Sequence, residues 1–501
     1  MRPWIVMANE GTYPFMGGGV STWCHQLCSG LESVDFTILA VTGDTHTKYK
    51  YERQDSVKRV VHVPLWPGEE PAIYLNPGRY STVLWRRWNT TSGALSKAFL
   101  KPFRTLLEEI FLGGTPIDRL VDAIVEVGLF FRENDFKAAM RSREVWEMFL
   151  EFAERFHESP AGRDSPPPTI ADVTTCGRWF YNMLMPIGMH VPDGTVFHAT
   201  IAASCALPGI VRRKVDGTSF VVTDHGVYLR ERYINISQGD FSQIQKKFLI
   251  GLAILLGRAC YAVADVVSPV AAFNSRWEIP WGAAKERIRI IYNGVDTECF
   301  RPSPKPEHRQ GRPTVVAAAR VFPLKDVETM IRGADVARKI MPEIHVICYG
   351  SLKADPPYVQ KCRDLIEELG CGDNFEFGGF HPDPYGIFIE GDISVLSSIS
   401  EGFPYTVLEA MSSGVACVAT DVGGVREAVG DTGIVVPPRD PQALGEALAE
   451  LLSDPDRRKR CCRAARERVV SEFTIQKQLK GYEDLYFEMH EDTLARQQRA
   501  A

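Results

Sequence analysis

The chain has 501 residues, with 57 basic and 63 acidic side chains and a formal charge of −6 at neutral pH. Its apolar share of 45% and charged share of 24% are those of ordinary globular domains, and they exclude a disordered, collagen-like or disulfide-stapled chain. The length predicts two or three domains, each able to bury its own core. The acidic balance argues against bulk nucleic-acid binding, which depends on neutralising phosphates.

Met1-Arg2-Pro3-Trp4 leads directly into a strand-like run, Ile5–Ala8, with no apolar signal segment before it, so a cytoplasmic chain is expected. The first strand, Trp4–Ala8, is followed by a loop carrying Gly17, Gly18 and Gly19 and by a helix from about Val20. Residues 76–190 break the strand–helix rhythm and read as a largely helical insertion, with helical patterns at Ile117–Phe131 and Phe136–Phe156 and a loop at Asp164–Pro168. Strands resume at Thr195–His198 and Ser219–Thr223. Phe248–Val270 is the most apolar stretch. Arg258 and Asp265 interrupt it, leaving a charge-free run from Phe248 to Gly257. A bilayer span needs about 20 apolar residues, so a buried helix is expected.

Arg301-Pro302-Ser303-Pro304-Lys305-Pro306 is a stiff connector and the best domain boundary. Beyond it the opening pattern repeats: a strand at Thr314–Ala319, a loop with Arg320 and Lys325, and a helix from about Asp326. Strands at Ile344–Cys348, Asn374–Phe377, Asp392–Leu396 and Ala416–Ala419 then alternate with helices at Tyr358–Leu369, Pro404–Met411 and Pro441–Leu452. Such alternation predicts parallel sheets covered on both faces, with ligands outside the carboxyl ends of the strands. Asp454-Pro455-Asp456 reads as a helix cap and Arg457–Arg468 as a solvated basic face, while Phe473–Met489 reads as a terminal helix. The 12 cysteines include no C-x-x-C pair and read as reduced thiols. Trp85-Arg86-Arg87-Trp88, continuing through Lys97, Lys101 and Arg104, mixes aromatic and cationic side chains.

The strongest chemical signal is Ser400-Glu401-Gly402-Phe403-Pro404-Tyr405-Thr406-Val407-Leu408-Glu409-Ala410-Met411. Glu401 lies on a loop after a strand, Pro404 suits a helix start, and Glu409 lies farther along that helix. One acid can then face a ligand at the helix mouth while the other reaches it along the helix side. The N–H groups at the mouth, from Tyr405 and Thr406, favour an anion such as a phosphate. Arg320 and Lys325, two cations on the facing strand–helix loop, suit a leaving group that gains negative charge.

Glu401 and Glu409 match the E-x7-E motif of the retaining family 4 glycosyltransferases, which the chain resembles. Tyr292-Asn293-Gly294-Val295-Asp296 is similar to that family's N-G-[VI]-D segment. Ala319-Arg320-Val321-Phe322-Pro323-Leu324-Lys325-Asp326 is similar to its G-R-x3–4-K segment, with Ala319 in place of the usual Gly. A closer resemblance is to the PelF-type glycosyltransferases of Pel exopolysaccharide assembly. It rests on Glu10–Pro14, Gly18–Leu27, His198-Ala199-Thr200 and Thr223-Asp224-His225-Gly226-Val227-Tyr228-Leu229-Arg230-Glu231-Arg232.

The resemblance implies a GT-B fold: two Rossmann-like, doubly wound α/β domains facing a cleft. The first would be an acceptor domain, 1–298, holding the insertion at about 76–190 and completed by a C-terminal helix, 474–490. The second, 312–473, would bind the nucleotide sugar. The same resemblance implies that Arg320 and Lys325 hold the diphosphate, Glu401 binds the transferred sugar and Glu409 the ribose. Tyr405 and Thr406 would meet the phosphates, Gly17, Gly18 and Gly19 would form a phosphate or acceptor loop, and His225 would assist transfer. It implies retention of configuration, UDP-glucose as donor, a saccharide or small-molecule acceptor, no cofactor and no metal. A membrane-associated synthase complex is a candidate partner and nucleic acid is not. Two rival readings share these residues: a sugar-nucleotide epimerase, and a non-catalytic sugar-nucleotide-binding subunit of an assembly complex.

Overall fold

A computed structural model describes residues 2–66 and 78–500. Positions 76 and 77, where the expected insertion begins, lie outside the described residues. The chain divides into two compact units. The first comprises Met1–Pro269, Ser275–Ile290 and Gly481–Ala501, and the second Val270–Asn274 and Ile291–Lys480.

The sheet of the first unit holds β1 (Trp4–Glu10), β2 (Asp35–Thr42), β3 (Val57–Pro64), β4 (Val196–Ala199), β5 (Ser219–Val222) and β6 (Val266–Val267), in the order β3-β2-β1-β4-β5-β6. The sheet of the second holds β7 (Thr314–Ala318), β8 (His345–Tyr349), β9 (Phe375–Gly379), β10 (Ile393–Leu396), β11 (Cys417–Thr420) and β12 (Ile434–Val436), in the order β12-β11-β10-β7-β8-β9. Every pairing is parallel. Numbered from its own first strand, each sheet has the order 3-2-1-4-5-6, that of a doubly wound dinucleotide-binding fold. The order reverses between β1 and β4 in one unit and between β7 and β10 in the other, and the crevice at such a reversal is where ligands of these sheets bind. The central strands are buried on both faces, which explains their unbroken apolar runs.

Between β3 and β4 the first unit carries helices Tyr80–Asn89, Leu100–Phe111, Ile117–Glu133, Arg143–Glu158 and Ile170–Leu184. Rings of Phe99, Phe103, Phe149, Phe180 and Phe248 contact one another in their core. The expected single helix from Phe136 to Phe156 is two, Phe136–Met140 and Arg143–Glu158. Ser142 starts the second by accepting the Val145 N–H at 3.3 Å, a local bond that competes with continuous helix.

The apolar stretch forms helix Gln243–Val263, buried along most of its length. Gly251 lets it approach the carbonyl of Ile110 more closely than a side chain would allow. Arg258 within it is satisfied by buried Glu109 at 2.5 Å and by the Thr115 carbonyl at 2.9 Å. No helix among the described residues is long and apolar enough to cross a membrane.

In the second unit Asp326 caps helix Val327–Ile340, accepting from the Thr329 N–H and hydroxyl. Asp454 caps helix Pro455–Glu472. The terminal helix runs from Ile475 to Ala500.

Candidate functional site

Two loops meet at the carboxyl ends of β7 and β10, on either side of the strand-order reversal. The loop after β7 ends in a short turn, Pro323–Lys325, and presents Lys325. The loop after β10 presents Glu401. The Lys325 ammonium lies 2.5 Å from Glu401 Oε1, and the Ser398 hydroxyl donates to that same oxygen at 2.5 Å.

The backbone holds this pair in place. Ser397 Oγ donates to the Lys325 carbonyl at 2.8 Å, and the Ile399 N–H to the Leu324 carbonyl at 3.0 Å. Thr420, at the end of β11, donates to the Ser398 carbonyl at 2.7 Å. The Gly424 N–H donates to the Gly402 carbonyl at 2.6 Å. Gly423 has φ +57, and a Cβ there would lie 2.0 Å from the Glu401 carbonyl oxygen, so the close approach of the two loops requires glycine.

Asn293, in the Tyr292–Asp296 motif, donates to the Phe403 carbonyl at 2.8 Å. The Phe403 ring packs against Tyr292 and Phe473, with centroids 4.9 and 5.1 Å away. The Asn-Gly-Val-Asp motif therefore anchors the loop that carries Glu401. A charged pair held by this many bonds costs little reorganisation when a ligand arrives.

Helix Tyr405–Ser412 follows with Pro404 at its N-cap, so the helix begins one residue after the proline and no side chain caps its mouth. Tyr405 and Thr406 form its first turn. Glu409 lies one turn along and is partly buried, with no hydrogen bond to its carboxylate among the described residues. Burial pushes its pKa up to about 7, because removal from water disfavours the charged form. Arg320 is exposed, its guanidinium 5.1 Å from the Phe322 ring centroid, and it does not join the Lys325–Glu401 pair. Ala319 keeps a negative φ, so alanine replaces the expected glycine there without backbone strain.

His225 belongs to the first unit, three residues beyond the end of β5. Its ring meets Trp23 edge-on at 4.7 Å, and its Nε2 is buried with no hydrogen-bond partner among the described residues. Burial lowers its pKa to about 3. The neutral imidazole is thus the form present near pH 7. His198 is fully buried and bonds through both nitrogens, to Tyr486 and to Thr223, each at 2.8 Å. It is a satisfied core histidine.

Beside His225, Asp224 and Glu278 are both fully buried, and the Tyr261 hydroxyl donates to Asp224 at 2.5 Å. Burial, reinforced by Asp224, holds Glu278 well above the usual carboxylate range, so the two acids hold at least one proton at neutral pH.

The glycine loop leads into helix Gly19–Gly30, which has no capping side chain and no acid in its first turn. Cys24 and Cys28 lie on its buried face with Trp23 and Leu27. A Cβ on Gly17 would lie 2.2 Å from Lys50 Nζ, which puts an exposed cation at this loop. Glu10, at the end of β1, accepts from Ser204, beyond β4, at 2.8 Å.

Residues 3–286 match the family described as Domain of unknown function (DUF3492). The chain belongs to that family. In this DUF3492 chain, residues 301–468 match a second family, Glycosyl transferases group 1. The DUF3492 chain is 33% identical over 193 residues to D-inositol 3-phosphate glycosyltransferase of Thermobispora bispora, covering 35% of this chain and 44% of that protein. It is 30% identical over 228 residues to the GDP-mannose-dependent alpha-(1-6)-phosphatidylinositol monomannoside mannosyltransferase of Mycobacterium tuberculosis, covering 42% of this chain and 58% of that one. It thus spans about half the length of the curated relatives it matches.

Two solved structures share its fold along nearly the whole chain. Sucrose-phosphate synthase from Thermosynechococcus elongatus has a TM-score of 0.59 at 16% identity, covering 98% of this chain and 99% of that one. Anabaena HepE in complex with UDP has a TM-score of 0.58 at 14% identity, covering 97% and 99%. The DUF3492 chain therefore has the two-domain α/β GT-B fold.

Within the second unit, the fold joins Lys325 directly to Glu401, and Arg320 forms no ion pair with Glu401 among the described residues. The sequence reading missed Ser398, Lys50 and the Asp224–Glu278 acids. Serine and lysine carry no local signal for such a role, and Asp224 and Glu278 are too far apart in the chain for any spacing rule to pair them.

Proposed function

We propose that the chain is a retaining glycosyltransferase of the cytoplasm that moves a hexose from a nucleotide sugar to a saccharide or other acceptor in exopolysaccharide synthesis. UDP-glucose is the proposed donor, 312–473 the donor domain and 1–298 with 474–490 the acceptor domain. The observation that carries the reading is the Lys325–Glu401 pair, 2.5 Å apart across the β7/β10 reversal. The uncapped mouth of helix Tyr405–Ser412 and Glu409 follow it in the same unit.

Bond breaking between sugar and diphosphate builds negative charge on the leaving group. Lys325 and Arg320 stabilise that charge without need of a metal, and the helix mouth at Tyr405 and Thr406 adds backbone donors. Glu401, oriented by Lys325 and Ser398, accepts hydrogen bonds from the sugar hydroxyls, and Glu409 does so from the ribose. His225, neutral and with a free Nε2, offers a hydrogen bond to the transferred sugar, and Gly17, Gly18 and Gly19 line the acceptor side. The attacking hydroxyl enters on the face the diphosphate leaves, so configuration is retained.

The names of the relatives do not agree on a donor: the mycobacterial protein is named for GDP-mannose, and HepE has been crystallised with UDP-glucose. The choice of UDP-glucose rests on the PelF-like segments Glu10–Leu27 and Thr223–Arg232. The deciding experiment is a thermal-shift screen of UDP, GDP and ADP sugars, since a specific ligand stabilises by mass action. Transfer assays with the stabilising donor, with and without chelator, and determination of the product's anomeric configuration by NMR then follow. An α-linked product formed from UDP-glucose in chelator supports the proposal. An inverted product or a strict metal requirement refutes the mechanism. An epimer formed from donor alone identifies an epimerase, and binding without transfer to any acceptor identifies a non-catalytic subunit.

A further inference from the structure

Helix Tyr80–Asn89 is turned the wrong way round for a surface helix. None of its side chains is buried, and its large apolar residues point outward: Tyr80 is 75% exposed, Leu84 46%, Trp85 51% and Trp88 85%. At about 100° per residue, Tyr80, Leu84, Trp88 and Trp85 fall within an arc of about 140°. The partly covered residues, Val83, Arg86 and Asn89, occupy the opposite side. A ten-residue helix with no fully buried side chain gains little packing energy from its own fold, and isolated helices of this length are marginal in water.

The charge along this stretch of sequence has one sign, and the acid beside the helix in space is Asp135, which faces Arg86 and donates its N–H to the Thr90 hydroxyl at 2.8 Å. Between Glu70 and Glu108 the sequence contains no acid and six cations, Arg79, Arg86, Arg87, Lys97, Lys101 and Arg104, in a chain whose net charge is −6. Arg104 is neutralised by Glu151. Arg79, Arg87, Lys97 and Lys101 make no ion pair among the described residues.

We propose that this helix docks on an anionic lipid surface, lying in the interface with Tyr80, Leu84, Trp85 and Trp88 inserted at headgroup level and the cations against lipid phosphates. Trp and Tyr are the side chains that favour this boundary, being apolar in body with one polar edge. Juxtaposed cations bind acidic headgroups additively within a Debye length. A protein groove would satisfy the aromatic face, but four exposed cations without an acid partner among the described residues, Arg79, Arg87, Lys97 and Lys101, match a continuous sheet of negative charge. The proposal is independent of the catalytic reading.

The test is co-sedimentation of the full chain with vesicles of pure phosphatidylcholine and with vesicles containing about a third phosphatidylglycerol, with tryptophan fluorescence followed in parallel. Binding to the phosphatidylglycerol vesicles is expected, with a blue shift and with loss of binding as salt rises. The double variants Trp85→Ser/Trp88→Ser and Arg79→Glu/Arg87→Glu are each expected to lower the partition coefficient about tenfold or more. All these residues are exposed, so unchanged thermal unfolding verifies the fold of both variants. Equal binding to both vesicle types, wild-type binding by the charge-reversed variant, or capture by a protein with no affinity for lipid would overturn the proposal.

Discussion

Lys325 and Glu401 form one ion pair, 2.5 Å apart and 76 positions apart in the chain, with Ser398 donating to the same carboxylate oxygen. Each partner is therefore oriented by the other, and the two cannot be removed independently. Lys325→Ala and Glu401→Ala are each expected to lower kcat/KM by about 100-fold or more, with the fold intact. A double-mutant cycle should give a coupling of about 0.5–3 kcal/mol, because contacting residues are not additive. Steady-state kinetics of the four proteins, with circular dichroism for the fold, measures both. Wild-type turnover in either single variant would remove the pair from the site.

Gly423 stands between the loops of β10 and β11. With φ +57 and the Glu401 carbonyl 2.0 Å from any added Cβ, Gly423→Ala is expected to cost about 1–3 kcal/mol of stability and to weaken donor binding by displacing Glu401. Urea unfolding and calorimetry with the donor test this. Loss of stability without loss of affinity would show that the loop's position is not what orients Glu401.

If Glu409 holds the donor as proposed, donor binding will depend on pH. Its pKa stands at about 7, so the carboxylate proposed to accept hydroxyl hydrogen bonds is depleted below neutrality. Affinity for the donor should rise with pH and level off above about 7, approaching tenfold per unit well below that pH. Glu409→Gln should bind more weakly and lose this dependence. Calorimetric titrations between pH 5.5 and 8.5 provide the measurement, and an identical profile in both proteins would assign the ionisation elsewhere.

The Asp224–Glu278 acids act on stability. Burial and the neighbouring Asp224 hold Glu278 well above the usual carboxylate range. At neutral pH the folded chain therefore carries a proton that the unfolded chain has already released. Stability must then fall as pH rises above the ordinary carboxylate range, by up to about 1.4 kcal/mol per unit. Glu278→Gln should flatten the decline. Denaturant midpoints at pH 6, 7 and 8 test the sign, and a parallel slope in the variant would show that Glu278 is not the group responsible.

His225 is neutral through the physiological range, its pKa lowered to about 3 by burial against Trp23. The pH–rate profile should therefore show no limb near 6.5 from this residue, and His225→Asn should reduce kcat more than KM. A limb near 6.5 that disappears in His225→Asn would show that this imidazole titrates during turnover.

The strand–helix alternation and the helix start beside Pro404 were legible in the chain, whereas the compact units divide at Ile290/Ile291, before the proline-rich connector. The legible features depend on local chemistry: apolar runs, helix caps, glycine and proline. The break at Ser142 was not legible, because the apolar period runs straight through it and a single cap bond decides. Nor did His225 announce its neutral state, since nothing near it in sequence tells how far Trp23 removes it from water.

By itself, the sequence determined two parallel α/β units and the kinds of side chain at their strand ends, because period, capping and backbone freedom are properties of short segments. Only the tertiary structure decided that Lys325 meets Glu401 while Arg320 does not. It alone set Glu278 near Asp224, made His198 a structural residue and turned Trp88 outward. Proximity, desolvation and exposure arise when distant segments share space, and no local pattern encodes them.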